Sequence, residues 1–294
     1  MRLLKIKALV FFIELSILIH KLIITNLLEF LTIFHATLLK RRNKMKINKI
    51  RGIGWDVGGW MGTNHGIAIC EWERLTNEIH WSGTPAEISL PSNDLLSLKQ
   101  ITAATGTSYE GDADITIIGV DAPLGYPIEY INLLNGQLPQ IVKPSKEIEN
   151  PLAYRATDKE IYNVFGKKPL SAAFDRIGNN ATLAMLHTRM WEQEHGFKVY
   201  PIRDREVNDD KIIIEVYPAL VKKRRDSEVF EEFRPFLPHG VNPGTDAYDA
   251  CICALYSIAL LTEGKVLPKL VKPEEEIKAK VKKEGWIYYF PKKQ

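Results

Sequence analysis

Residues 115–120, Ile115-Thr116-Ile117-Ile118-Gly119-Val120, are a continuous apolar run that leads into Asp121-Ala122-Pro123-Leu124-Gly125. A run of this length, bounded by turn residues, is typical of a central strand that is covered on both faces. Proline stops the ladder of backbone hydrogen bonds, so Pro123 indicates that a loop begins there. The stretch therefore predicts an α/β protein with an aspartate at the end of a buried strand.

Three shorter strands are predicted ahead of this run, over residues 53–57, 66–72 and 78–81. The loops between them are short, which favours an antiparallel meander. A further buried strand is predicted over 212–217, where Pro218 ends it. The pattern predicts a mixed sheet in which three antiparallel strands are followed by parallel ones.

Helices are predicted over residues 94–102, 157–164, 180–195 and 246–261. The last is apolar on nearly every side, and Thr245 is a plausible N-cap for it. Residues 126–200 are mostly helical and loop-like and exceed what a crossover needs, so we interpret them as an insertion that could cover a site. The expected architecture is one α/β domain over residues 45–294, with helices flanking the sheet.

The composition excludes several protein classes. The chain has 294 residues, of which 45% are apolar and 26% charged, so disorder, collagen and a disulfide-rich scaffold are ruled out. Residues 1–44 carry eight basic and two acidic side chains, which leaves the remainder at about −3. Residues 45–294 therefore have no overall electrostatic attraction for nucleic acid, so binding of nucleic acid would need local basic patches or a bound metal ion. Cys70, Cys251 and Cys253 form no metal-ligand pattern and indicate buried thiols in a reducing, cytoplasmic compartment.

The first 44 residues form a separate segment. Leu, Ile and Phe are frequent there, yet charged residues interrupt them, and residues 30–39 are the longest stretch without formal charge. Ten residues are too few for a spanning helix, and no cleavage site of a signal peptide is found. A second methionine, Met45, stands a few residues before the first predicted strand, so a domain could begin there. We interpret residues 1–44 as a translated upstream segment or dispensable extension, with a membrane-associating amphipathic anchor as the alternative.

Four aspartates stand where chain elements begin or end. Asp56 ends the first strand, Asp121 ends the central strand, and Asp246 and Asp249 share one face of the last helix's first turn. If the two strands are neighbours, all four acids could converge at one edge of the sheet. Oxygen ligands without a Cys or His cluster suit Mg²⁺ or Mn²⁺. In the alternative, the acids have structural roles: Asp56 and Asp121 could form turns, and the helix dipole could favour Asp246 at the N-terminus of the last helix.

The arrangement resembles the ribonuclease H-like superfamily, which begins with three antiparallel strands and carries its acids on strand one, strand four and the last helix. Residues 245–250, Thr-Asp-Ala-Tyr-Asp-Ala, resemble the last-helix motif of Holliday-junction resolvases. More narrowly, the chain resembles the domain of unknown function 429 family, whose members are described as predicted nucleases of this fold. The matching segments lie at residues 54–56, 119–125, 155–158, 169–171, 215–219, 246–250 and 284–287.

The resemblance implies a metal-dependent nuclease that hydrolyses phosphodiester bonds of DNA or RNA with two Mg²⁺ or Mn²⁺ ions. It implies Asp56, Asp121 and Asp249 as catalytic residues and metal ligands, with Asp246 as a fourth. Glu215 is a further candidate ligand, although it could instead hold Tyr217 or a nearby arginine. Two other functions stay open: a phosphotransferase of the sugar-kinase and actin-like type, and a non-catalytic member that binds a nucleotide or a protein.

Three residues of the insertion and one basic run supply candidate contacts to the substrate. Arg155, Asp158 and Arg176 fall in the insertion, where an arginine could hold the scissile phosphate through two hydrogen bonds. The alternative for Arg155 and Asp158 is a surface ion pair. Residues 222–225, Lys-Lys-Arg-Arg, could follow a phosphate backbone or could form a solvated helix face.

Overall fold

The computed structural model describes residues 47–60, 64–91, 94–109, 111–140, 142–204 and 209–292. The described strands are β1 (Lys49–Asp56), β2 (His65–Glu73), β3 (Glu78–Trp81), β4 (Ala86–Ile88), β5 (Ile115–Asp121), β6 (Lys198–Tyr200), β7 (Lys211–Val216) and β8 (Ile287–Tyr288). The described α-helices are α1 (Leu98–Ala104), α2 (Ile128–Leu134), α3 (Ala156–Phe165), α4 (Ile177–His195), α5 (Asp246–Thr262) and α6 (Lys278–Glu284). The interpretation of residues 1–44 concerns a segment outside the described residues.

The strands form one open, mixed sheet. Its order is β3-β2-β1-β5-β7-β6, with β4 also paired to β2 and β8 to β7. β2 runs antiparallel to β1, β3 and β4, whereas the pairs β1–β5, β5–β7, β6–β7 and β7–β8 are parallel. The predicted meander and the central position of β5 are therefore confirmed, and the protein is a mixed α/β structure.

Helices cover the sheet on both faces. Ile117 of β5 lies in the apolar cluster that includes much of α5, whereas Ile118 lies in the cluster with α1 and α4. Side chains alternate between the faces along a strand, so β5 contributes to both cores. This double coverage explains why residues 115–120 are apolar without alternation. Among the described residues, no helix combines the length and apolarity that crossing a bilayer requires.

Glycines let α5 lie directly against the sheet. A methyl group added at Gly54 would overlap the carbonyl group of Ala250, and one added at Gly66 would overlap that of Asp246. Backbone can approach backbone this closely only where a side chain is lacking. Because Gly66 is the register partner of Asp56, the same close approach brings the first turn of α5 to the end of β1.

We expect Gly54→Ala to destabilise the protein by about 1–3 kcal/mol, because α5 must move away from β1 and the core around it must repack. Urea unfolding followed by circular dichroism measures the loss. Gly136→Ala is the control, since nothing lies within 4 Å of its added methyl and only its φ of +76° opposes the change. A smaller loss for Gly54→Ala than for Gly136→Ala would contradict the close approach.

Several boundaries differ from the predicted ones. Helix α1 begins at Leu98 rather than near residue 94, because Ser97 and Gln100 form a capping box that sets its start. The insertion at 126–200 is not wholly helical and loop-like, since β6 at its end joins the sheet beside β7. The short strands β4 and β8 were not predicted, because two or three residues carry no readable alternation.

Candidate functional site

Two aspartates end neighbouring parallel strands at one edge of the sheet. Asp56 is the last residue of β1, Asp121 is the last residue of β5, and the two are register partners. Adjacent strands lie about 4.8 Å apart. By the alternation of side chains, both aspartates share a face with Gly54 and Gly119, whose missing side chains admit α5. The structure confirms this placement, and the metal-binding role of both residues stays a prediction.

The first turn of α5 brings two more carboxylates to this edge. The hydroxyl of Thr245 accepts a hydrogen bond from the backbone N–H of Tyr248 at 3.2 Å, so the predicted N-cap is confirmed. Asp246 and Asp249 both lie in the turn that follows it and are half-buried. An N-terminal turn favours negative charge, which offsets part of the cost of placing two acids there.

The cluster of Asp56, Asp121, Asp246 and Asp249, here the acid cluster, brings four carboxyl groups to one end of the sheet. The side chains of Asp56 and Asp121 make no hydrogen bond or ion pair with the other described residues. Burial, followed by the charges of Asp121 and Asp249, raises the pKa of Asp56 well above its usual range. Burial and then Asp249 raise the pKa of Asp121 in the same way. Burial is also the main cause of the raised pKa of Asp246, with Glu87 and Asp249 behind it.

One cation of the chain reaches into the acid cluster. The ammonium group of Lys222 lies 2.8 Å from Oδ1 and 2.5 Å from Oδ2 of Asp249. The side chains of Lys222 and Asp249 are 15% and 18% exposed, so water screens this ion pair only in part. Lys222 therefore neutralises one of the four carboxylates.

The acid cluster fits a hard divalent cation by its chemistry. All its donors are carboxylate oxygens, the ligands that hard divalent cations prefer, and a bound cation would reduce the repulsion between neighbouring carboxylates. Within the described parts of the chain, however, no group of three or more His, Cys, Asp or Glu side chains is arranged to hold a metal ion. The residues could hold Mg²⁺ or Mn²⁺ if Asp249 released Lys222.

Glu215 lies on the other face of the sheet from the acid cluster. Its neighbours Ile214 and Val216 pack with α5, whereas Ile213, which shares the face of Glu215, packs with the α1 and α4 side. Both carboxylate oxygens of Glu215 accept hydrogen bonds from Arg155, each at 2.7 Å. The alternative in which Glu215 holds an arginine is thus the observed one, and we leave Glu215 out of the ligand set.

Arg155 and Asp158 form a buried ion pair, which corrects the expectation of a surface pair. Each side chain is 1% exposed. The guanidinium donates five hydrogen bonds, which go to Asp158, Glu215 and the carbonyl oxygen of Glu284. An arginine has five N–H donors, so none is left for a phosphate. The predicted substrate contacts of Arg155 and Asp158 therefore find no support in their geometry.

A small cavity of about 70 Å³ opens beside Asp121. Its wall is largely apolar and includes Pro123, Leu170 and Tyr217, with the Arg155 network behind it. Arg176 immediately precedes Ile177, which also lines the cavity, and is exposed at the start of α4. Its predicted contact with substrate stays a prediction.

Sequence reasoning missed two lysines of the site. Lys222 was considered only with the basic run of 222–225, and Lys167 was not considered. The ammonium of Lys167 donates to the carbonyl oxygen of Ala219 at 3.2 Å and lies 4.9 Å from the ring centroid of Tyr217. No local pattern marks either lysine, because Lys222 meets Asp249 27 residues on and Lys167 meets Ala219 52 residues on.

Comparisons with known proteins return no match: no protein-family model fits the chain, and neither the curated proteins nor the solved structures contain a similar one.

Proposed function

We propose that this protein is a metal-dependent nuclease with a ribonuclease H-like fold, which hydrolyses phosphodiester bonds of nucleic acid. The fold proposal is supported by the strand order, with an antiparallel meander followed by parallel β5 and β7. It is also supported by the positions of the acids on β1, β5 and the long apolar helix α5. The three buried free thiols are consistent with a cytoplasmic enzyme.

One observation carries the proposal: Asp56 and Asp121 are register partners at the ends of β1 and β5, and their side chains have no hydrogen-bonding partner among the described residues. Placing two unpaired carboxylates side by side costs folding free energy. A protein keeps such an arrangement where a bound cation compensates it. Functional sites are where strongly shifted pKa values concentrate.

The four aspartates of the acid cluster would have different roles in metal binding. Asp56, Asp121 and Asp249 would hold the metal, and Asp246 would add negative charge or a fourth ligand. Two divalent ions at such a site activate water and stabilise the leaving oxygen of a phosphodiester. The rigid pairing of β1 with β5 holds Asp56 and Asp121 in fixed relative positions, which lowers the cost of ordering the ligands.

A second candidate is a non-catalytic member of the fold that binds a nucleotide or a protein. The ion pair between Lys222 and Asp249 favours it, because an internal cation already neutralises one acid. A protein that had lost catalysis could retain this pair as a structural contact.

Titrating Mg²⁺ and Mn²⁺ into the full-length chain by calorimetry tests the proposal. We expect the wild-type protein to bind metal and Asp121→Asn to bind it at least tenfold more weakly, because a neutral amide replaces a charged ligand. Asp112→Asn is the matched control, since Asp112 pairs with Lys49 at the opposite end of β1. Absence of binding to the folded wild-type protein, even with an oligonucleotide present, would overturn the nuclease proposal and leave the second candidate.

A further inference from the structure

Lys222 is held in place by a hairpin that is anchored to α5. Its backbone bridges that of Val229 in antiparallel fashion, and the N–H of Phe230 donates to the carbonyl of Val221 at 2.9 Å. The N–H of Val229 donates to the hydroxyl of Tyr248 at 2.9 Å, and both residues are buried. Residues 221–230, here the basic hairpin, are therefore anchored to α5, and this anchor holds the backbone of Lys222 next to that helix.

The tip of the basic hairpin is exposed and carries two arginines and one acid, Asp226. Arg224 and Arg225 project at the tip, next to Lys222, and both are exposed. Lys167 reaches the base of this hairpin, because its ammonium donates to the carbonyl oxygen of Ala219, three residues before Lys222, so both lysines lie at one rim of the acid cluster. Cations therefore lie beside the acid cluster. In this arrangement the carboxylates could bind metal ions while the basic side chains bind the phosphates of a nucleic acid.

Lys167 and Lys222 are neighbours on this rim. The charge of Lys222, after burial, lowers the pKa of Lys167, and the charges of Asp121 and Asp249 oppose that effect. Lys167 lies against the ring of Tyr217, which lines the cavity beside Asp121. Lys222 therefore contacts one member of the acid cluster, and Lys167 lies beside the wall of the cavity that Asp121 lines.

We propose that Lys222 is an exchangeable counter-ion: a divalent cation displaces it from Asp249, and the freed ammonium joins Lys167 in binding a phosphate of the substrate. This inference rests on the proposed function, because it assumes that the acid cluster takes up metal. The displacement is an exchange of ion pairs with no covalent step, and the anchored base of the hairpin keeps Lys222 at the rim.

Calcium titrations of Lys222→Met test the exchange without catalytic turnover. Because the variant has no ammonium to displace, we expect it to bind Ca²⁺ roughly tenfold more tightly than the wild-type protein. Lys223→Met is the control and should leave the affinity unchanged, since Lys223 pairs with Glu231, just beyond the basic hairpin. Lys222→Gln is the second variant if Lys222→Met does not fold.

The outcomes separate the two proposals. If the wild-type protein binds no metal, the proposed nuclease fails. If it binds metal and Lys222→Met binds with equal or lower affinity, the nuclease stands and the counter-ion role is overturned.

Binding of a single-stranded oligonucleotide in Ca²⁺ tests the phosphate contact. We expect Lys222→Met and Lys167→Met each to reduce the slope of log K against log salt concentration by about 0.7, the value for one phosphate contact on a single strand. Lys99→Met, exposed on α1 at the other face of the sheet, should leave the slope unchanged. An unchanged slope in Lys222→Met would overturn the phosphate role of that residue.

Discussion

Asp121→Asn is expected to lower phosphodiester cleavage at least about a hundredfold while making the metal-free protein more stable. The loss of activity follows from the proposed function, because an amide cannot replace the charge of the proposed metal ligand. The gain in stability follows because the variant removes one of several carboxylates that repel one another. Each kcal/mol gained raises the thermal midpoint by about 2–4 °C for a domain of this size.

The gain in stability should depend on pH in a defined direction. The folded pKa of Asp121 is raised above its ordinary value of 3.8, so the folded protein holds the proton more tightly than the unfolded chain. The carboxyl group therefore favours folding at low pH, and this contribution is lost as the pH rises through the raised pKa. The stability difference between variant and wild type should be largest above that pKa and should close as the pH falls towards 3.8.

Thermal unfolding in a chelator across this pH range, together with cleavage assays on branched, single-stranded and hybrid substrates, checks both expectations. Asp112→Asn is again the control, because its carboxylate is exposed and the hydrogen bond from Lys49 lowers its pKa. An Asp121→Asn protein that cleaves as fast as the wild type, or that is less stable at every pH, would show that Asp121 is a structural residue.

Arg155→Met is expected to destabilise the protein by about 3–5 kcal/mol, which is the typical effect of removing one partner from a buried ion pair. The substitution leaves Asp158 and Glu215 buried without a cation and breaks five hydrogen bonds. Glu215 also accepts a hydrogen bond from the N–H of Leu124 at 2.9 Å, so the loop that follows Asp121 loses its support. Urea denaturation measures the change in the free energy of unfolding.

Two variants make the arginine prediction specific. Arg155→Lys keeps the charge but cannot donate the planar set of hydrogen bonds, so it should recover only part of the lost stability. Arg189→Met removes an exposed pair with Glu192 and should cost no more than about 1 kcal/mol. If Arg155→Met costs as little as Arg189→Met, the buried network does not hold the insertion to the sheet.

Much of the fold could be predicted from local patterns. The strand at 78–81 was predicted with its observed bounds, and the last helix ends within one residue of its predicted end. The predicted start of α5 was correct because Thr245 caps it locally. The edge strands β4 and β8 could not be predicted, since their pairing with β2 and β7 depends on where distant chain segments return to the sheet.

In the candidate site, too, local features could be predicted from the sequence and long-range contacts could not. Because an aspartate at the end of a strand and an acidic pair in a first turn are local features, the sequence predicted Asp56, Asp121, Asp246 and Asp249 together. It also left open whether Glu215 binds metal or an arginine, and the alternation along β7 decided that question. The burial of Arg155 was not predicted, because its partner Glu215 lies 60 residues away.

The sequence by itself determined which residues can lie at the end of a buried strand or cap a helix, because apolar periodicity and capping act between near neighbours in the chain. Only the tertiary structure decided that Lys222 pairs with Asp249, 27 residues on, and that Arg155 has no donor free for a phosphate. Ion pairs of this kind depend on chain crossings and burial. Their free energy comes from the dielectric surroundings that the completed fold creates, which no local pattern encodes.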